Sequence, residues 1–340
     1  MASKKPGAYM ISEIKEQPMA VERALRETKD EISSAAESLT GRFIYATGSG
    51  SSYHASLVLN RVLTRIARER ITSIQASELP EWIPPEIKGS ALVAFSQSGE
   101  SKDVLTAVKR FREIAPNDPV VAITNTPGST LASMSDLVIL TRAGEERAVA
   151  ATKSYTTQLA VSILLSLELA ELKGIDVSFL REELSSIPKK IESSIESSLG
   201  PVNELALRIK DRVLGFVLGK GPNYPTALEA ALKLRETSNL HYVGYAAREF
   251  LHGPIQLVDR GVPVIFLNWT EIKDVLTKVR SYGGEVIRVG DEGDIFLPRT
   301  EYEFSPLLMV IPMQILSYKV SLLRGLDPDK PEKLTKVVTE

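Results

Sequence analysis

The stretch Ala91-Leu92-Val93-Ala94-Phe95-Ser96-Gln97-Ser98-Gly99-Glu100-Ser101 carries the reading of this chain. Its first five residues form an apolar run of strand length, and residues 102–113 place Val104, Leu105, Val108 and Phe111 at helical spacing. The small hydroxylic residues therefore fall where a strand hands over to a helix. Free backbone N–H groups and the positive end of the helix dipole favour an anion there, and serine hydroxyls can donate further hydrogen bonds. A serine in the same place can also act only as the helix N-cap.

A second turn of this kind lies upstream. Phe43–Thr47 reads as a short strand entering Gly48-Ser49-Gly50-Ser51-Ser52-Tyr53-His54, with a helix running on to about Arg68. The loop lacks the lysine and spacing of a nucleotide P-loop and the glycine spacing of a dinucleotide fingerprint, which argues against ATP or NAD. Further strands are expected near residues 72–76, 120–124 and 137–141. Strands alternating with helices predict an α/β fold with a doubly wound, mostly parallel sheet, whose ligands bind at the carboxyl ends of strands, where both serine turns fall.

Before this sheet, residues 10–38 predict a helix interrupted near Pro18, and after it come an apolar helix over 152–173 and a Ser-rich amphipathic one over 176–196. The pattern restarts after Pro201 with a helix to Ile209, a strand over 213–218, the turn Gly219–Tyr224 and a helix to about Thr237. A strand over 262–267, a helix over 270–281 and a strand over 285–289 follow. The order of elements echoes the first half, although Asn268-Trp269-Thr270 stands where the first half has Ser96-Gln97-Ser98. One anion site is therefore expected, in the first half. The expected divisions are 1–195, 196–325 and a tail over 326–340.

Composition sets bounds. At 340 residues with 43% hydrophobic content the chain can bury a large core, and a net charge of −2 leaves no basic surplus for nucleic acid. The absence of cysteine excludes disulfides, thiolate metal sites and a cysteine nucleophile, and a total of three histidines, His54, His241 and His252, argues against a histidine-rich metal centre. The N-terminus shows no signal-like or membrane-spanning apolar segment, so a cytoplasmic protein without a membrane partner is the simplest expectation.

The most reactive side chains cluster later, in Ala231-Leu232-Lys233-Leu234-Arg235-Glu236 and Glu249-Phe250-Leu251-His252-Gly253-Pro254. Lys233 and Glu236 share a helix face, which by itself reads as an ordinary exposed ion pair. A lone histidine before Gly-Pro is commonly a hydrogen-bonded loop residue, and Leu334–Glu340 reads as a frayed end.

These residues also carry a resemblance. The chain is similar over nearly its whole length to the sugar isomerase (SIS) family, and in particular to the isomerase module of glutamine–fructose-6-phosphate aminotransferases. The blocks that carry it are Glu16-Gln17-Pro18, Gly50–Ala55, Ser96–Ser101, Ala151–Leu159, Tyr224–Glu229, Ala231–Glu236, Glu249–Pro254 and Leu334–Glu340. The resemblance implies two flavodoxin-like SIS subdomains in tandem plus a tail. It implies that Ser51, Ser52, Ser96, Gln97, Ser98 and Ser101 bind the 6-phosphate and nearby sugar oxygens, with the backbone at Val149 touching the sugar. It makes Glu236 the base that moves a proton between C1 and C2, Lys233 its electrostatic companion, His252 the ring-opening group and Lys336 the tail lysine reaching the sugar. In the family the neighbouring subunit lends the histidine, so a homodimer with composite sites is implied. A family serine is here Ala151, which removes one expected hydroxyl contact.

The residue types suit that chemistry. One carboxylate can serve two adjacent carbons, an imidazole can shuttle the proton that opens a closed hexose, and a lysine amine can polarise or condense with a carbonyl. No metal or organic cofactor is needed. The glutaminase segment of the aminotransferases uses a cysteine, which this chain lacks, so the expectation is deamination of glucosamine 6-phosphate to fructose 6-phosphate and ammonia. The alternatives are ammonia-dependent synthesis in the reverse direction, plain aldose–ketose isomerisation, fructosamine deglycation, and a non-catalytic sugar-phosphate sensor.

Overall fold

The computed structural model describes residues 5–337; Val338, Thr339 and Glu340 of the expected tail, like residues 1–4, lie outside the described residues. In chain order the elements are α1 (Ala8–Glu27), α2 (Lys29–Leu39), β1 (Phe43–Gly48), α3 (Ser51–Val62), β2 (Ile71–Gln75), α4 (Leu79–Trp82), β3 (Ser90–Ser96), α5 (Lys102–Ile114), β4 (Val120–Thr124), α6 (Thr130–Met134), β5 (Leu137–Leu140) and α7 (Lys153–Leu172). They continue as α8 (Ser178–Ile209), β6 (Leu214–Gly219), α9 (Asn223–Ser238), β7 (His241–Ala246), β8 (Pro263–Leu267), α10 (Lys273–Ser281), β9 (Glu285–Gly290), β10 (Ile295–Phe296) and α11 (Pro306–Leu323). Two compact units result. Among the described residues the first-sheet unit comprises Met19–Glu145, Lys153–Ser186 and Val337, and the second-sheet unit comprises residues 5–18, Glu146–Thr152 and Ile187–Lys336.

The first sheet is parallel throughout, in the order β2-β1-β3-β4-β5. Strands β3 and β4 are buried along their whole length, as a parallel sheet covered on both faces requires. On one face α5 presents Val104, Ala107, Val108 and Phe111 to Leu92, Ala94, Val120 and Ala122. Each large side chain buried this way contributes about 1.5–3 kcal/mol. The chain runs from β1 outward to β2 and then crosses to β3 on the other side of β1. The carboxyl ends of β1 and β3 therefore flank the topological switch point of the sheet, and the two serine turns follow those two strands.

The second sheet, read from its β7 edge, has the order β7-β6-β8-β9-β10 and repeats the first. The expected internal repeat is thus present strand for strand, including β7 and β10, which the sequence pattern did not reveal. The β7 stretch carries Gly244 mid-strand, which weakens the alternation, and β10 has only two residues. Helix α11 was also not anticipated. The segment Tyr302–Leu323 is long and apolar enough to cross a membrane, but 78% of its most apolar window is buried and α11 packs on α9, so its all-round hydrophobicity is that of a core helix.

The prolines behave differently from expectation. Helix α1 passes through Pro18 and breaks at Thr28 instead. Pro18 has no N–H for the Ile14 carbonyl, and the Gln17 side chain supplies the missing donor, its Nε2 lying 3.1 Å from that oxygen. Helix α8 likewise runs unbroken through Pro188 and Pro201, merging two expected helices into one of 32 residues. Pro201 sits on the exposed side, where water can take up the orphaned carbonyl.

Candidate active site

In the first-sheet unit Ser52, Ser96 and Ser98 all accept hydrogen bonds through Oγ. Gly48 lets the β1 turn close, because a Cβ there would lie 2.7 Å from the Ser52 backbone. Ser52 Oγ accepts from Gln158 Nε2 of α7 at 3.2 Å, which leaves its own O–H to donate. Ser96 Oγ accepts from the Gly99 N–H at 3.0 Å, and Ser98 Oγ accepts from the Glu100 N–H at 3.1 Å. Ser101 holds the N-cap position of α5 but makes no capping hydrogen bond. Ser101 is therefore not a side-chain cap of α5, while Ser96 and Ser98 satisfy N–H groups inside the turn; the start of a helix is a place that suits an anion.

The loop is held from behind. The Gln97 carbonyl accepts from the Asn125 N–H at 3.1 Å and from the hydroxyls of Thr126 and Thr124 at 3.3 and 3.4 Å. Gly99, at φ +71°, lies so close to Ser129 that a Cβ would sit 2.1 Å from its Oγ. Glu100, to which the sequence assigns nothing beyond a possible helix cap, binds the first residue of α6: its oxygens accept from the Thr130 N–H at 2.8 Å and the Thr130 hydroxyl at 2.7 Å. Those hydrogen bonds hold its carboxyl below the usual range.

The second-sheet unit holds Lys233, Glu236 and Lys336, the side chains expected to carry acid–base chemistry. Lys233 and Glu236 are not the exposed pair their spacing suggested: the Lys233 side chain is 1% exposed, with Nζ 2.5 Å from Glu236 Oε2 and 3.5 Å from Glu229 Oε1. Burial alone would depress the Lys233 amine, but the Glu236 and Glu229 carboxylates, helped by Glu146, hold its pKa raised. Glu236 keeps a 22% exposed side chain and lines a recess of about 640 Å³ with Arg235, Asn239, Asp327, Lys330 and Lys333. One carboxylate is thus oriented by a buried cation while still open to a reactant.

The tail lysine enters the same unit. Lys336 Nζ donates to Glu146 Oε2 at 2.7 Å and to the Ala148 carbonyl at 2.6 Å, so the tail is ordered at this residue. Glu146 Oε1 also accepts from the Thr152 N–H at 2.9 Å. Glu13 of α1 takes the Arg147 N–H at 2.5 Å and the Ala148 N–H at 3.4 Å; burial, with Glu146 nearby, pushes its carboxyl up to about 7 against the pull of those N–H groups and Lys336. The Val149 N–H is committed to the Asp329 carbonyl at 3.0 Å, so a backbone contact from Val149 to a ligand falls to its carbonyl. Ala151, half-buried, offers no hydroxyl.

Lys233, Glu236 and Lys336 are therefore gathered in one unit, with Glu146 hydrogen-bonded to one lysine and felt electrostatically by the other. His252 is not part of this network. It ends a short turn, Glu249–His252, is exposed, and its side chain makes no hydrogen bond or ion pair with the described residues.

Residues 41–167 and 210–298 match the family described as SIS domain. The chain belongs to the SIS domain family. A glutamine–fructose-6-phosphate aminotransferase of Pyrococcus horikoshii is 36% identical over 346 residues, covering 97% of this chain and 57% of that protein. The chain thus spans little more than half the length of such relatives. Among solved structures, the C-terminal domain of glucosamine-fructose-6-phosphate aminotransferase from Francisella tularensis superimposes with a TM-score of 0.86 at 29% identity, covering 97% of this chain and 99% of that one. A glucosamine-6-phosphate deaminase from Thermotoga maritima superimposes with a TM-score of 0.82 at 27% identity, again over 97% and 99%.

For this SIS protein, sequence reasoning overlooked Glu13, Glu146 and Glu229. Glu146 follows Gly144-Glu145, a run that reads as a solvated loop, and Glu13 lies on a helix with other charges. Only Glu229 carried a local signal, being four residues before Lys233 and so on its face of α9.

Proposed function

We propose that this chain moves a proton between C1 and C2 of a hexosamine 6-phosphate, and that it converts glucosamine 6-phosphate and water to fructose 6-phosphate and ammonia. The observation that carries this reading is the buried Lys233 holding the partly open carboxylate of Glu236. A fixed carboxylate with one face free is the requirement for taking a proton from one carbon and returning it to the next. The similarity to a protein named a glucosamine-6-phosphate deaminase, along with the aminotransferases, favours an amino sugar.

In the proposed reaction the hydroxyls of Ser51, Ser52, Ser96, Ser98 and Ser101, with Gln97, hold the phosphate. His252, contributed by a second copy of the chain in a homodimer, relays the proton that opens the ring; its exposure and lack of partners suit a residue lent outward. Glu236 takes the proton from C2 of the open aldehyde and delivers it to C1 while an amine proton passes to O1, leaving a 1-hydroxy ketimine at C2. Water adds to C2, both of its protons pass in turn to nitrogen, and ammonia leaves as the C2 carbonyl forms. Lys233 stays charged as the counter-ion of Glu236, and Lys336 polarises the oxygen or nitrogen at the reacting carbons. The reading includes a cytoplasmic setting.

The test is incubation with glucosamine 6-phosphate, measuring fructose 6-phosphate and ammonia, alongside the reverse mixture of fructose 6-phosphate and ammonium. Turnover in either direction supports the same site chemistry, and the ratio of rates assigns the direction. Measurable binding of the sugar phosphate with no turnover in either arm would establish a sensor in place of an enzyme.

A further inference from the structure

The seven residues Glu146–Thr152 form a socket for the tail lysine. Both acceptors of Lys336 Nζ come from this loop: Glu146 Oε2 at 2.7 Å and the Ala148 carbonyl at 2.6 Å. The orientation of the Glu146 carboxylate is set independently of the tail, because its other oxygen accepts from the Thr152 N–H at 2.9 Å and its side chain is fully buried. The loop backbone is pinned in turn, with the N–H groups of Arg147 and Ala148 bound to Glu13 and that of Val149 to the Asp329 carbonyl. Asp329 reaches the start of α1, where its carboxylate accepts from the N–H groups of Tyr9 at 2.9 Å and Met10 at 2.7 Å.

We propose that Glu146 is a positioning residue of the active site: it seats the amine of Lys336 in a fixed place, acting through that lysine and without touching substrate. This rests on the role given to Lys336 above. The buried Glu146 carboxylate accepts from Lys336 and also contributes to the field at Lys233. The Glu146 carboxylate and the Ala148 carbonyl together hold the Lys336 amine where a reacting carbonyl can meet it. Removing the charge by Glu146→Gln leaves Lys336 Nζ with neutral acceptors, the side-chain amide oxygen and the Ala148 carbonyl, which weakens its seat.

Two measurements test this. The first needs no substrate: limited trypsin digestion read by mass spectrometry compares cleavage after Lys336 with cleavage after the exposed Lys333. In wild type, cleavage after Lys336 lags, and in Glu146→Gln the ratio rises several-fold; an unchanged ratio overturns the socket. If Glu146→Gln does not fold, reductive methylation of wild type replaces it, with Lys336 reacting more slowly than Lys333, and equal rates overturn the socket. The second is kinetic. Glu146→Gln lowers kcat by roughly tenfold to a hundredfold, the cost of a misplaced group, while the double variant with Lys336→Met is no slower than Lys336→Met alone. Additive losses in the double variant show that Glu146 acts elsewhere and refute the positioning role. Absence of turnover in wild type removes the functional reading, and the digestion result still decides whether the socket exists.

Discussion

Glu13→Gln is expected to change how the stability of this protein depends on pH. Glu13 is 3% exposed and its carboxyl is pushed up from 4.5 to about 7, chiefly by burial. The folded protein therefore holds a proton there that the unfolded chain releases from about 4.5 upward. That advantage is complete below the unfolded value and is lost as pH rises through the folded one. At 1.36 kcal/mol per pH unit the full effect is about 3 kcal/mol, of which about 2.5 kcal/mol falls between about pH 5 and pH 8.5. Glutamine cannot titrate, so it escapes the loss. Urea denaturation of both proteins at the two pH values cancels the titrating groups that do not interact with Glu13. The stability of Glu13→Gln relative to wild type should rise by about 2–3 kcal/mol toward alkaline pH. A difference constant within about 0.5 kcal/mol would refute the proton on Glu13 and with it the account of a shared field among Glu13, Glu146 and Lys336.

Other outcomes follow from the same geometry. Glu236→Gln should lower turnover of glucosamine 6-phosphate by about two or more orders of magnitude, as loss of a general base does, with binding measured by calorimetry largely retained; an unchanged kcat removes Glu236 from that role. Gly99→Ala forces a Cβ against Ser129 at positive φ, a strain of about 1–3 kcal/mol, and should raise KM for the sugar phosphate more than it lowers kcat; equal KM would show that the loop does not hold the phosphate. Gln17→Leu strips the Ile14 carbonyl and Gln314 of their partner and should cost about 1–3 kcal/mol in urea denaturation; no loss would mean that the helix tolerates Pro18 without this bridge.

Much of the fold was legible because its signals are local. The strand over 91–96 and the helix after it follow from apolar period and turn chemistry within a dozen residues, and the two halves repeat that order. Proline was the misleading signal: at Pro18 a neighbouring side chain replaces the lost donor, and at Pro201 exposure makes the loss tolerable. Likewise β10, with two residues, is too short to show a period.

By itself the sequence determined two parallel α/β sheets and the serine turns at strand ends, since short-range pattern specifies these; Lys233, Glu236 and Lys336 were singled out only by the resemblance to the family, because locally they read as an exposed pair and a frayed end. The tertiary structure alone decided which charges are buried and against what. Arg147 and Glu13 are 134 positions apart, and Lys336 and Glu146 190 apart. Nothing in the neighbourhood of either carboxylate announces its partner. A charge taken out of water takes its properties from whatever folding brings within a few ångströms. For that reason an apparent surface pair at Lys233 became a buried one, and the unremarked Glu146 became the residue on which the tail rests.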